Sequence, residues 1–419
     1  MTRALDIWRD TKLVGQLTQD QHGELGFAYA DEWLERESAP ALSVSLPKRA
    51  EPYSRRECRP FFGGLLPEEG QRDAAARALG VSPQNDFALL EHLGGEVAGA
   101  LQLLPPGKTP AAPISDQRPE PLNEAGLIRV LDALPVRPLL AGEGALRLSL
   151  AGAQSKVPVV LVNGVIALPV PDQPTTHILK PPIQRFAATT ENEAFVMRLA
   201  AAAGLDVASV EPRVVRDRMF LLVQRYDRSV SDNGNIHRIH QEDFCQALGI
   251  PPETKYASEG GPAFKECFEL IRRVAARPAG DVLKLLNAVI FNLIAGNADA
   301  HGKNFSLLYD DQGPRLAPLY DLLATVAYPE LSPKLAMKIG KRATLAEMDA
   351  RGWAAFAADA GLGLPLIRRR IAEISDGVKA AAQDVAQALV RPGLDEAALL
   401  RFAELIRGRA ERCPLTIQK

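Results

Sequence analysis

The segment Asn297-Ala-Asp299-Ala-His301-Gly302-Lys303-Asn304 gathers polar side chains directly after an apolar run. Asp299, five residues before Asn304, has the chemistry of a general base, because a carboxylate within reach of a hydroxyl can take its proton. Asn304 offers an amide oxygen, and a further carboxylate follows at Asp321. Between them, Phe305 to Tyr309 and Arg315 to Leu319 are strand candidates of equal length around Asp310 to Pro314. With residue 305 facing 319 in a hairpin, Asn304 and Asp321 become neighbours, about 4.5–5.5 Å apart. Two hard oxygen donors at that separation suit one Mg²⁺ ion. A base beside a metal-holding pair is equipment for phosphoryl transfer.

The spacing from Asp299 to Asn304 is also that of a kinase catalytic loop, and Asp321 falls where a second metal-holding aspartate is expected. Upstream parts come in the matching order. Leu148 to Lys156 joins two strand candidates, and its backbone N–H groups with Lys156 suit a phosphate cradle. It holds only Gly152, so it is not a G-x-G-x-x-G motif. Lys180 ends the short strand Thr176 to Lys180, as the phosphate-pairing lysine does in Val-Ala-Ile-Lys. Glu191 and Glu193 follow on a helix, and either suits a partner for that lysine. Thr190 to Glu193 equally reads as a capping box. Gln224 to Asp227 is the candidate hinge. Asp321 has a competing reading as the cap of a helix starting at Leu322. His301 reads as a loop-fixing or nucleotide-contacting residue, since Asp299 already fills the role of base.

These residues need elements to position them. Leu285, Leu286, Val289, Ile290, Leu293 and Ile294 predict a helix buried along one stripe and ended by Gly296. Upstream the pattern is strand-rich. Leu146, Leu148 and Leu150 alternate, Val157 to Leu161 and Val165 to Leu168 flank the hairpin signal Asn163-Gly164, and Val214-Val215 pairs with Met219 to Val223. Thr190 opens an Ala-rich helix that Gly204 closes. Near the start, Leu5 to Trp8, Leu13 to Leu17 and Ala41 to Leu46 read as strands, and Ser82 caps a helix through Leu93. Four prolines between Leu104 and Pro113 mark a linker. The expected organisation is a first α+β unit over 1–105, a Pro-rich linker over 106–120, a strand-rich lobe over 121–225 and a helical lobe over 226–419.

Composition narrows the class. The chain has 419 residues, 47% of them apolar, and a net charge of −2, so it is not expected to coat nucleic acid by charge alone. No run of about 18 apolar residues and no secretion leader stand out, which predicts a cytoplasmic protein without a membrane span. Cys58, Cys245, Cys267 and Cys413 are scattered and read as reduced thiols, not as a zinc site. Arg55-Arg56-Glu57-Cys58-Arg59 and Arg368-Arg369-Arg370 read as solvated surface, with a direct DNA or phosphate contact as the alternative.

Ser149-Leu-Ala-Gly-Ala-Gln-Ser-Lys156, Asn297-Ala-Asp-Ala-His-Gly-Lys-Asn304 and Leu319-Tyr-Asp321 resemble the HipA-type toxin kinases of bacterial toxin–antitoxin pairs. Phe61-Phe-Gly-Gly-Leu-Leu-Pro67 and Leu93-Gly-Gly-Glu-Val-Ala-Gly-Ala100 resemble that family's N-terminal subdomain, so the likeness spans nearly the whole chain. It departs from the family pattern at Gln224, where Glu is usual, and at Glu96-Val97, where Asp-Cys is usual. The resemblance implies an α+β, two-lobed fold distantly similar to eukaryotic protein kinases and lipid kinases. It implies an ATP- and Mg²⁺-dependent serine/threonine kinase whose target is an aminoacyl-tRNA synthetase such as the glutamate enzyme, with growth arrest and persistence as the outcome. It further implies a small helix-turn-helix antitoxin of HipB type as partner, with operator DNA reached mainly through it. Carried onto this sequence, Asp299 is the base, and Asn304 and Asp321 are the Mg²⁺ ligands. Ala151, Gly152, Ala153, Gln154, Ser155, Lys156, Lys180, Gln224, Arg225, Tyr226, His301, Gly302, Lys303, Asn304, Tyr320 and Asp321 touch ATP, and Ser149 is autophosphorylated. Two other readings use the same residues: a small-molecule or lipid phosphotransferase, and a non-catalytic co-repressor scaffold.

Overall fold

The computed structural model describes residues 2–110, 118–143, 146–232 and 234–418. Residues 111–117 of the expected linker lie outside the described residues. Two compact units form, one from Met1–Pro181, Leu222–Glu253 and Leu308–Asp310, the other from Pro182–Leu221, Thr254–Leu307 and Asp311–Lys419.

The first unit opens with β1 (Arg3–Arg9), β2 (Lys12–Gln19), β3 (Leu25–Tyr29), β4 (Tyr53–Ser54) and β5 (Leu101–Leu104), in the order β4-β3-β2-β1-β5. Leu5 faces Leu17 across β1 and β2, and Leu17 faces Phe27 across β2 and β3. All three are buried, as alternation along a half-covered sheet requires. Phe27 meets Phe62 of the helix Arg55–Gly64 at 5.3 Å between ring centres. Gly15 admits no side chain, because a Cβ there would lie 2.3 Å from the Ala28 oxygen.

Three expectations for this unit are corrected. Ala41 to Leu46 is a tight turn bridged from Ser43 to Leu46, not a strand. The helix expected from Ser82 starts at Asp86, because Asn85 provides the cap by accepting from the Ala88 N–H at 3.0 Å. Leu146 to Leu150 forms no strand; Leu148 makes a parallel bridge to Glu96, and the Arg147 side chain donates to the Glu91 and Leu103 carbonyls. The next strands, β6 (Val157–Val162), β7 (Val165–Ala167) and β8 (His177–Lys180), lie close to their expected bounds. Asn163 and Gly164 both take positive φ, 51° and 81°, which is the primed turn their types favour.

The second unit is mostly helical. Thr189–Ala202 begins after Ala188, with Thr190 already inside it, so the expected capping box is absent. Pro278–Ala295 is the central helix, and burial extends beyond the predicted stripe: every residue from Ala288 to Gly296 is buried. Its 18 residues are long and apolar enough to cross a membrane, yet 67% of that window is buried inside the protein, as in a core helix. Gly296 ends it at φ 75°, where a Cβ would lie 2.2 Å from Val326. Arg409 donates to the last carbonyls, Leu293 at 2.8 Å and Ile294 at 2.9 Å.

Candidate active site

Past Gly296 the chain enters the polar loop, and buried amides hold its first turn. Asn297 donates to the Asn292 side chain at 2.9 Å, and the Asp299 N–H donates to the Asn297 amide oxygen at 3.3 Å. Thr325 accepts from the Ala298 N–H at 2.8 Å and donates to the Gly296 carbonyl at 3.0 Å. Asp299 itself is exposed, and its Oδ1 accepts from the Tyr256 hydroxyl at 2.9 Å. His301, Lys303 and Asn304 are buried.

The hairpin follows as Ser306–Asp310 and Gly313–Leu316, shorter on its second arm than expected, because the turn tightens to Asp311-Gln312 and Gly313 takes φ 94°. The Ala317 N–H donates to the Ser306 carbonyl at 2.9 Å and sets the register at its base. Asn304 and Asp321 are thereby brought together: the Asn304 amide donates to Asp321 Oδ2 at 3.2 Å. No helix starts at Leu322, so the capping reading of Asp321 is overturned. Asp321 sits instead at φ 59°, a conformation that Asp tolerates better than most residues and that recurs at functional sites. Tyr320 braces the same corner, its hydroxyl donating to the Lys303 carbonyl at 2.7 Å and meeting Ser306 Oγ at 2.7 Å.

This donor set fits a hard cation. Asp321 brings carboxylate oxygens, and Asn304 brings an amide oxygen that already accepts the His301 N–H at 3.2 Å and keeps a second lone pair. Among the described residues no cluster of three or more His, Cys, Asp or Glu could hold a metal. A Mg²⁺ ion here would therefore keep few protein ligands and rely on phosphate and water, as Mg²⁺ commonly does.

The expected phosphate loop, Ser149, Lys180 and the candidate hinge lie in the first unit. Gly152 adopts φ 114°, and Lys156 arches over it, donating to the Ala151 carbonyl at 2.5 Å. Gln154 donates to the Pro181 carbonyl at 3.1 Å, tying the loop to the residue after Lys180. Ser155 donates to Gln71 at 3.0 Å, and Ala153 is exposed. Ser149 is fully buried, its hydroxyl donating to the Leu65 carbonyl at 2.7 Å. Both glycine-containing motifs of the first hundred residues brace this loop. The Glu68 N–H reaches the Gly152 carbonyl at 3.2 Å, and the Ser149 N–H reaches the Glu96 carbonyl at 2.8 Å.

At the candidate hinge Gln224 is exposed and Tyr226 half-buried. The Arg225 side chain is consumed by a buried ion cluster that the sequence did not announce. It bonds Asp227 at 2.8 and 2.9 Å, Glu96 at 3.1 Å and Thr175 at 2.9 Å. Arg228 and Arg238 also bond Glu96, at 2.8 and 2.9 Å. Burial alone would raise the Glu96 carboxyl, but Arg228, Arg238 and Arg225 hold it well below the usual carboxylate range. The Arg225 N–H is engaged as well, donating to the Thr176 carbonyl at 2.9 Å, so neither its side chain nor its N–H is open to a ligand. Glu191, one of the two candidate partners for Lys180, accepts the Asp395 N–H at 2.9 Å. Tyr256 was also missed, since nothing in its spacing links it to Asp299.

Comparison with known proteins gives this arrangement its class. Family models match over most of the chain, the HipA N-terminal domain at residues 5–104 and the HipA-like C-terminal domain at residues 148–386. A Sinorhizobium fredii protein named "Putative kinase Y4mE" is 67% identical over 417 residues, 99% of each chain. The serine/threonine-protein kinase toxin HipA of Shewanella oneidensis is 30% identical over 410 residues, 94% of this chain and 92% of that one. A solved structure of the Shewanella oneidensis toxin–antitoxin system, with HipA, HipB and operator DNA, superposes with a TM-score of 0.86 at 28% identity, covering 99% of this chain and 98% of that one. The architecture is thus the α+β, protein-kinase-like one of toxin kinases. The chain belongs to the HipA family.

Proposed function

We propose that this chain is the toxin of a toxin–antitoxin pair and acts as an ATP- and Mg²⁺-dependent serine/threonine protein kinase. The observation that carries the reading is the contact between Asn304 and Asp321 at the base of the hairpin, with Asp299 on the loop that leads into it. Bound ATP would supply the phosphoryl group, and Mg²⁺ would neutralise its charge. Asp299 would accept the proton of the target hydroxyl, and Asn304 and Asp321 would hold the metal. The loop from Ala151 to Lys156, Lys180, the backbone at Gln224 to Tyr226, residues His301 to Asn304, and Tyr320 would bind the nucleotide. Ser149 would accept phosphate only after its hydroxyl leaves the Leu65 carbonyl, so its modification would hold the loop out of the conformation described above.

In this reading the target is a translation enzyme of the cytoplasm, an aminoacyl-tRNA synthetase such as the glutamate enzyme, and its modification arrests growth and favours persistence. A small helix-turn-helix antitoxin would bind the chain and bring it to operator DNA, as the assembly of the Shewanella protein suggests. Incubating the purified chain with labelled ATP, Mg²⁺ and a cell lysate tests this. One labelled protein band, lost in Asp299→Asn, supports a protein kinase. A labelled metabolite or lipid in its place assigns a different phosphotransferase, and absence of Mg²⁺-dependent ATP binding by calorimetry leaves a scaffold.

A further inference from the structure

We infer that Tyr256 is a positioning residue for Asp299: its phenol holds one carboxylate oxygen and so fixes the direction in which the carboxylate meets an acceptor hydroxyl. This rests on the reading of Asp299 as the base.

An exposed aspartate on a loop samples several rotamers, and each unproductive one lowers the fraction of encounters that can transfer a proton. The hydrogen bond from the Tyr256 hydroxyl to Asp299 Oδ1, at 2.9 Å, selects one of them. A phenol is well suited to this role, because it donates to an ionised carboxylate and adds no positive charge that would compete for phosphate.

Tyr256 is itself well held. Its ring stands edge-on to His301, 5.2 Å between centres at 84°, so it contacts two residues of the same catalytic loop. Its carbonyl accepts the Glu259 and Gly261 N–H groups, both at 2.9 Å. That closure needs Gly261, where a Cβ would lie 2.5 Å from the Thr254 carbonyl oxygen. Ala336 then links the two segments. It accepts the Ala257 N–H at 3.2 Å and donates to the Ala298 carbonyl at 2.7 Å, joining the residue after Tyr256 to the residue before Asp299. The Gly302 N–H adds a longer bond to the Lys255 carbonyl at 3.4 Å. The phenol and the carboxylate therefore share one backbone frame and meet by construction of the fold.

Wild type, Tyr256→Phe and Asp299→Asn, each as the full chain, are compared for the initial rate of phosphate transfer from ATP to the labelled lysate protein, the KM for ATP and the melting temperature. Tyr256→Phe is expected to lower kcat about 10- to 100-fold, the scale of a misaligned reacting group, with the KM for ATP and melting temperature unchanged. In protein labelled with ¹³C at the Asp carboxyls, the resonance missing from Asp299→Asn should also move in Tyr256→Phe, a readout independent of turnover. Unchanged kcat in Tyr256→Phe, beside an inactive Asp299→Asn, overturns the inference and leaves the base reading standing. An unmoved ¹³C resonance overturns it as well, and so does phosphate found on Tyr256 itself, which would make the phenol an acceptor. A wild type that transfers no phosphate, or an active Asp299→Asn, overturns the base reading and the inference with it.

Discussion

Asn304 and Asp321, 17 positions apart in sequence, share a hydrogen bond of 3.2 Å at the open end of a hairpin. The roles proposed for this pair and for Asp299 can be pulled apart by mutation. Asp321→Asn removes the only charge of the pair, so Mg²⁺-dependent ATP affinity should fall sharply in calorimetry. Asp299→Asn leaves the pair intact, so ATP affinity should persist while phosphate transfer falls about 10²- to 10⁴-fold, the usual contribution of a general base. Equal loss of ATP affinity in both variants would falsify this division of labour.

The buried cluster around Glu96 gives a stability prediction. Arg225 and Arg228 are each 1% exposed at the side chain and share that one carboxylate. Glu96→Ala leaves Asp227 as the one carboxylate facing both buried guanidiniums, and breaking one partner of a buried pair costs about 3–5 kcal/mol. Chemical denaturation should show a loss of that order, with a smaller one in Glu96→Gln, whose shape and one acceptor survive. A stable Glu96→Ala would mean that Asp227 alone satisfies both guanidiniums.

Spacing and periodicity made part of the fold legible in the sequence. The hairpin around residue 311 brought Asn304 near Asp321 although its register is not the expected one: Ser306 pairs with Ala317, and Leu319, expected to face Phe305, bridges Val207 instead. The helix ending at Gly296 was legible from its apolar stripe and its terminating glycine. Leu146 to Leu150 was misread because its alternation reflects loop packing against Glu96, a long-range contact. Tyr256 and the Arg225–Glu96 pair were invisible for a related reason: their partners lie 43 and 129 positions away, and no local pattern encodes such a meeting. Asn85 displaced Ser82 as a helix cap because two residues of similar capping strength lay within one turn.

Ser149 offers a test of loop control. Its hydroxyl is buried against the Leu65 carbonyl, so Ser149→Ala should cost about 1 kcal/mol, the net worth of one hydrogen bond, and keep ATP affinity. Ser149→Glu forces a larger, charged side chain toward a carbonyl, which expels the segment. Hydrogen exchange across residues 150–156 should then accelerate, and ATP affinity should fall. Unchanged exchange in Ser149→Glu would show that the loop accommodates charge without moving.

Glu242 makes stability depend on pH. Its carboxyl is buried and accepts from the Val44 N–H at 3.0 Å, from Ser43 and from Tyr309. Burial outweighs these bonds and pushes it up from 4.5 to about 7. The folded state thus binds this proton more tightly than the unfolded state, so the stabilisation is complete below pH 4.5, declines as pH rises, and is gone above pH 7. The shift corresponds to roughly 3 kcal/mol. His240 works in the opposite direction: burial lowers it from 6.5 to about 3, so it costs stability as pH falls below 6.5. The two slopes partly cancel in the wild type, and the difference between wild type and Glu242→Gln isolates the carboxyl. Denaturant unfolding at pH 5, 6, 7 and 8 should show Glu242→Gln gaining on the wild type by a few kcal/mol as pH rises, with most of the gain reached by pH 7. A difference that stays constant across this range would place the titration of Glu242 elsewhere and remove its carboxyl as a source of pH sensitivity.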